Sequence, residues 1–349
     1  MSKIRALKAI NLEATDRIPT AGIARHPRFI ESITNYDLRQ YPRKALAQAC
    51  KKLDIDLVFE LLPTPISTLK QGEVEYSEDR RTARSAWGMS PTMDVYIKPP
   101  FDSPEEVIQY NPQEEKQVGF FGSFETHAED QRLVEESTLI CGYFYNTLFM
   151  WPVTTFGWEL FMTTAALYPD KFGALIKKFI PFSKKYFHKW AETDVPLIMS
   201  HDDITMTNGP VFRPEWYRKY IFPYYEEIWS ELKEKGKKIL FCSDGDLTSF
   251  IPELAELGAD GFLIEPLVDL EYLAKNFGDS KIIIGGVDTR VLTFGNTEDV
   301  KKEVRRVTEI FKDCPGYFYL PAGDFPINMP VENIWTYYNA CKEYGKRGG

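Results

Sequence analysis

The chain has 349 residues, 44% hydrophobic and 14% aromatic, a stock of apolar side chains that disordered chains lack and that can build one large core. Its formal net charge of −9, with no clustered basic stretch, argues against a nucleic-acid partner, because phosphate binding needs a concentrated Lys/Arg surface. No stretch approaches the roughly 20 consecutive apolar residues of a membrane span, and the opening MSKIRALKAINLEATDR has no apolar signal-peptide core, so we expect a cytoplasmic protein without membrane contact.

In chain order, a short amphipathic helix over 2–12 leads into Asp16-Arg17-Ile18-Pro19 and the apolar run 20–24, a first strand. The β-branched run 54–61 reads as a second strand, with Glu60 where the run stops before Pro63. Polar and aromatic residues alternate between about 72 and 98 around Trp87-Gly88 and predict a β-hairpin excursion. From 138 onward, short apolar runs (138–146, 195–203, 237–246, 260–266, 281–288 and 316–324) alternate with amphipathic stretches of helix length. Those helices begin near Phe156, Pro169, Pro214, Leu247, Asp269, Thr297 and Pro330, many opening on proline or after an acidic or hydroxyl residue. This is βαβ patterning. Six such strands and the two before them make eight, and no G-x-G-x-x-G follows the first to suggest a dinucleotide fold. The expected fold is α/β, a (β/α)8 TIM barrel with an N-terminal extension and the hairpin excursion, residues 1–349 forming a single domain.

Acids recur where the strands end. Asp202 and Asp203 follow one run, Asp244 and Asp246 another, then Glu265, Asp288 and Asp324 close three more. In a parallel barrel those ends share the rim that carries the active site. A single such acid is as readily a helix cap; five strand ends with the same habit point to one pocket. Crowded carboxylates raise one another's pKa, which can keep one protonated as a general acid. We take Asp202, Asp203, Asp244 and Asp246 as candidate catalytic residues, and Glu60, Tyr145, His201, Asn208, Cys242, Glu265, Asp288 and Asp324 as candidate substrate contacts. Adjacent strand residues face opposite ways, so His201 and Asp203 share a side, as do Cys242 and Asp244. His201 and Cys242 are the candidate metal ligands, but the five scattered cysteines (Cys50, Cys141, Cys242, Cys314, Cys341) give no paired zinc pattern, and we read them as free thiols. The aromatics of Tyr143-Phe144-Tyr145 and Phe149-Met150-Trp151 read mostly as core, and His26, His127 and His188 as surface or core residues.

Several segments resemble one family in the right order along the chain. Glu13 to Pro19 is similar to the opening "DR-aliphatic-P" of the uroporphyrinogen decarboxylase-like superfamily. His201-Asp202-Asp203-Ile204, Asn208-Gly209-Pro210 and Pro214-Glu215-Trp216-Tyr217-Arg218 resemble its central "DD…G-P…P-E-x-Y-R". Ser243-Asp244-Gly245-Asp246, Gly286-Val287-Asp288 and Pro330-Val331-Glu332-Asn333 are similar to its later turns. The resemblance implies the barrel. The decarboxylase's Arg-Gln-Ala-Gly-Arg segment, whose arginines bind porphyrinogen carboxylates, reads Ala24-Arg25-His26-Pro27-Arg28 here. The His-x-Cys and later Cys of the zinc-dependent thiol methyltransferases read Cys242-Ser243-Asp244 and Gly323-Asp324.

What the resemblance then implies is the corrinoid-dependent methyltransferase branch. Such an enzyme moves a methyl group from a small methylated donor, here expected to be a methoxylated aromatic undergoing O-demethylation, to the cob(I)alamin of a partner corrinoid protein. An acid near the ether oxygen improves the leaving group, and Asp202, Asp203, Asp244 and Asp246 are the candidates. Zinc is not favoured, and a homodimer is allowed for. Two alternatives stay open. One is decarboxylation of a different acid, which a basic pocket of Arg25, Arg28 and Arg84 would favour; the other is a barrel that binds a corrinoid or metabolite without turnover.

Overall fold

Seven of the eight apolar runs become strands, and the first joins them through isolated β-bridges, so that the hydrogen bonds run round in a ring. The computed structural model describes residues 2–37, 40–61, 74–76, 78, 82–87, 90–91, 95–96, 100–113, 126–321 and 325–347. We number the ring strands β1 (20–21), β2 (Leu57–Val58), β3 (Leu139–Ile140 continuing through Gly142–Phe144), β4 (Leu197–His201), β5 (Lys238–Cys242), β6 (Gly261–Ile264), β7 (Ile282–Gly285) and β8 (Tyr317–Phe318). Neighbours pair in parallel from β2 to β8, with Leu57 opposite Leu139, Gly142 opposite Ile198 and His201 opposite Cys242. β1 closes the circle through parallel bridges Thr20–Tyr319 and Ala21–Leu57, with Ala21 N–H donating to Tyr319 O at 2.8 Å and Gly22 N–H to Leu57 O at 2.8 Å. A sheet closed in this way has no open edge.

The helical layer wraps the ring. Phe144, fully buried, points outward from β3 against Tyr186, Phe187 and Trp151, whereas Tyr143 on the next position points inward. Helices start where expected at Pro169–Lys177, Pro214–Tyr220, Thr297–Phe311 and Val331–Tyr344, and Asp269 caps Leu270–Phe277. The helix expected near Phe156 begins earlier, at Met150, and is broken at Gly157, whose φ of 74° lies outside the helical region. Helices Pro27–Ile33, Pro42–Leu53, Ile180–Ala191, Phe222–Glu234 and Thr289–Phe294 add to the expected set. The hairpin excursion is present: Val74–Tyr76 pairs antiparallel with Thr82–Trp87, which also pairs with Val95–Tyr96.

The Asp16-Arg17 motif sits at the N-terminal end of the ring. Arg17 reaches Asp54 at 2.8 Å and the fully buried Asp56 at 3.3 Å, while Arg5 of helix Ser2–Ile10 reaches Asp56 at 2.5 Å. These pairs tie the N-terminal helix to the start of β2, so the motif is architectural and leaves the chemistry to the other rim.

Candidate active site

Strand alternation and the turn after β5 assemble a cavity of about 320 Å³ at the C-terminal rim. Ile23, Val58, Phe59, Met199, Leu263 and Leu320 form its apolar wall, and Arg25, Glu60, Tyr143, His201, Asp244 and Glu265 its polar one. One side is a small network in which the Tyr143 hydroxyl donates to Glu60 at 2.8 Å and Arg25 approaches the same carboxylate at 3.5 Å.

The other side centres on Asp203. Its Oδ1 lies 2.8 Å from His201 Nε2 and accepts the Asp244 N–H at 3.0 Å, while its Oδ2 accepts the Tyr145 hydroxyl at 2.8 Å. The Tyr145 ring packs edge-on against His201, centroids 4.3 Å apart. Burial opposes charge on Asp203, but His201, the Asp244 N–H and the tyrosine outweigh it and hold the carboxyl down at about 2. Burial likewise opposes the His201 imidazolium, yet the neighbouring Cys242 sulfur, with which it shares a hydrogen bond, and the Asp203 carboxylate raise its pKa well above the usual histidine range. The result is a buried ion pair facing the cavity.

Asp244 stands apart. Its carboxylate has no hydrogen-bond partner among the described residues. Asp244 is exposed at the cavity, but the protein packed around its carboxyl removes part of its solvation and, with the charge of Asp203, pushes it up to about 6, His201 acting the other way and Glu265 adding to the rise. Its backbone is fixed by the turn around Gly245, where φ is +84° and a side chain would run into the Met206 backbone. The Gly245 N–H in turn donates to Glu265 Oε2 at 2.9 Å. A carboxyl group poised near neutrality, unengaged and open to the cavity, can deliver a proton.

The structure therefore gathers His201, Asp203, Cys242, Asp244, Glu60, Glu265 and Tyr145 at or against one cavity, with the two pairs of shared sidedness as expected. It does not bring the remaining acids in. Asp202, expected as catalytic, is fully buried and turned away: its oxygens accept the N–H groups of Leu148 (2.7 Å), Phe149 (2.7 Å) and Met150 (2.8 Å) and the Tyr225 hydroxyl (2.9 Å), holding the start of helix Met150–Leu167. Asp246, also expected as catalytic, accepts Thr248 N–H at 3.0 Å and its hydroxyl at 2.5 Å in the following turn. Asp288 caps helix Thr289–Phe294 and pairs with Arg290 at 2.8 Å, and Asn208 is exposed beside the short pairing of Met206 with Gly209. Asp324 lies outside the described residues.

Tyr143 is the contact that the reading of its segment as core missed; its two-residue spacing from Tyr145 was the available signal. His26 is buried and structural, its Nδ1 accepting the Phe29 N–H at the start of helix Pro27–Ile33 and its Nε2 lying 2.9 Å from Ile327 O. His188, read as a surface or core residue, lies on the exposed helical surface, where it pairs with Glu231 at 2.6 Å near Glu192.

For a metal, His201, Asp203 and Asp244 offer ligand atoms within 4.8 Å of one another. The set fits zinc poorly. His201 Nε2 is already committed to Asp203, and the set offers one imidazole and two carboxylates with no thiolate among them. No helix among the described residues is long and apolar enough to cross a membrane.

The model of the family described as uroporphyrinogen decarboxylase (URO-D) matches residues 96–344. Among curated proteins, a uroporphyrinogen decarboxylase of Pseudoalteromonas atlantica is 23% identical over 40% of this chain and 39% of its own length. The methylcobamide:CoM methyltransferase MtbA of Methanosarcina acetivorans is 28% identical over 37% of each chain. These alignments thus span about two fifths of the relatives' lengths. A solved methyltransferase from Methanosarcina mazei superposes with a TM-score of 0.66 at 14% identity, covering 98% of both chains, a likeness of fold.

Proposed function

The chain belongs to the uroporphyrinogen decarboxylase family, and from that premise we propose that it transfers a methyl group from a small methylated donor to the cob(I)alamin of a separate corrinoid protein. The donor we favour is an aryl methyl ether, so that the reaction is an O-demethylation. The observation that carries this reading is Asp244: an unengaged carboxyl held near 6, on an apolar-walled cavity of about 320 Å³. The partner's cob(I)alamin would supply the nucleophile for the methyl carbon; as the carbon–oxygen bond breaks with its electron pair going to oxygen, Asp244 delivers the proton that turns the departing phenoxide into a phenol. The His201–Asp203 pair keeps the local field fixed and holds the Asp244 backbone in place through its N–H.

Decarboxylation of a polycarboxylate draws less support from the same pocket. Arg28 is exposed on helix Pro27–Ile33, and Arg25 lies against Glu60. Such a substrate needs several cations, and the described lining offers acids in excess. A carboxyl raised toward neutrality beside a cavity speaks against a corrinoid- or metabolite-binding barrel without turnover.

The test is anaerobic mixing of the protein with cob(I)alamin and candidate donors while following the methylcobalamin absorbance. Its appearance supports methyl transfer. Carbon dioxide release from candidate acids, with no methylcobalamin formed from any donor, would replace this reading with the decarboxylase one.

A further inference from the structure

Beyond the ends of β4 and β5 the two chain segments stay joined. The Asp244 N–H donates to Asp203 Oδ1 at 3.0 Å, the Thr205 hydroxyl donates to the Asp244 carbonyl at 2.6 Å, and the Asp246 N–H donates to the Met206 carbonyl at 3.0 Å. Asp244 is therefore anchored before and after its Cα, which fixes the direction of its Cα–Cβ bond and so the approach of its carboxyl to the cavity. The anchor after the Cα is a side chain with support of its own. Thr205 is buried and does not line the cavity, and it pairs with Pro210 in the short antiparallel turn beside it. Ser243 Oγ accepts the N–H groups of Ile204 at 3.1 Å and Thr205 at 3.3 Å, and lies 3.0 Å from Thr205 Oγ1 and 3.1 Å from the Asp244 carbonyl.

We infer that Thr205 is a positioning residue, whose hydroxyl holds the Asp244 carbonyl and so keeps the carboxyl presented to the bound donor. The inference rests on the methyl-transfer reading and adds to it a side chain that does not touch the donor. A proton donor works only within hydrogen-bond reach of the group it protonates, and a misplacement of about 1 Å can cost 10²-fold in rate. Valine has the shape of threonine without the donor. Thr205→Val leaves the Asp244 carbonyl with Ser243 alone and lets the turn shift; Thr205→Ser keeps the hydroxyl.

Two measurements on the intact protein test this. In amide hydrogen exchange, Thr205→Val is expected to speed exchange of the Asp244 and Asp246 N–H groups about tenfold and to leave the amides of β5 and β7 as they are, the mark of a local opening. In turnover with cob(I)alamin and aryl methyl ethers, kcat for methylcobalamin formation is expected to fall about tenfold with the donor's KM within about twofold, because the carboxyl acts in the transition state. Thr205→Ser is expected to match wild type in both. A merely structural hydroxyl would speed exchange throughout the ring without that split between kcat and KM. Ser243→Ala, which removes the second donor to the same carbonyl, gives the same comparison should Thr205→Val fold poorly. Unchanged kcat in Thr205→Val, unchanged exchange at the turn, faster exchange everywhere alike, or a Thr205→Ser as impaired as Thr205→Val overturns the inference. Wild type that forms no methylcobalamin overturns the methyl-transfer reading instead, and the exchange comparison, which needs no turnover, then decides alone whether Thr205 holds the turn.

Discussion

His201 Nε2 lies 2.8 Å from Asp203 Oδ1, and the two side chains, two positions apart at the end of β4, form a buried ion pair on the cavity wall. The same Asp203 oxygen accepts the Asp244 N–H at 3.0 Å, so one carboxylate both charges the histidine and sets the backbone of the proposed acid.

Asp203→Asn breaks that pair and leaves a buried imidazole without its counter-charge, so unfolding by urea at pH 7 should show a loss of about 3 kcal/mol. The pH dependence has a definite sign. A carboxyl held at about 2, below its ordinary value of 3.8, stabilises the fold above about pH 4, and this contribution is lost as pH falls toward 2. Wild type should therefore lose stability across that window more steeply than Asp203→Asn. Parallel curves for the two proteins would contradict the pairing.

Asp202 and Asp244 should separate stability from chemistry. Asp202→Ala leaves three backbone N–H groups and the Tyr225 hydroxyl without their acceptor in the interior, and should cost about 3 kcal/mol or more. Asp244→Asn removes a carboxylate that has no hydrogen bond among the described residues and whose ionisation the site opposes, so at pH 7 the variant should be at least as stable as wild type. Thermal unfolding of the two variants checks both; a destabilised Asp244→Asn would mean that its carboxylate has a structural partner.

An acid must be protonated to act. With Asp244 at about 6, kcat/KM should fall as pH rises through about 6. Glu265 contributes to that elevation, so Glu265→Gln should move the alkaline limb to lower pH. A profile flat from pH 5 to 8, a window spanning about a unit or more either side of that value, would remove Asp244 from the proton transfer.

The ring was readable in advance because its strands are short apolar runs bounded by turn residues, and this local pattern survives folding: IIIG became β7 and LIMSH became β4. Sidedness was readable too, since period 2 put His201 with Asp203 and Cys242 with Asp244. The destination of the other acids was not. Asp202 is fixed by donors at 148–150, more than fifty positions away in the chain, a relation that strand patterning does not encode. Asp246 and Asp288 answer to the helical turns that follow them, the capping role that any lone strand-end acid can take. The raised pKa of Asp244 comes from desolvation and from two carboxylates, Asp203 and Glu265, brought by two other strands, and only the assembled ring supplies them.

The most direct test is a single-turnover experiment in which the protein, cob(I)alamin and a panel of aryl methyl ethers are mixed anaerobically at pH 6, and methylcobalamin formation is timed for wild type and Asp244→Asn. The account predicts methylcobalamin with wild type, at a rate reduced by about 10²-fold or more in the variant. Equal rates in the two proteins, or a corrinoid that stays unmethylated with every donor while carbon dioxide is released from an acid, would contradict it.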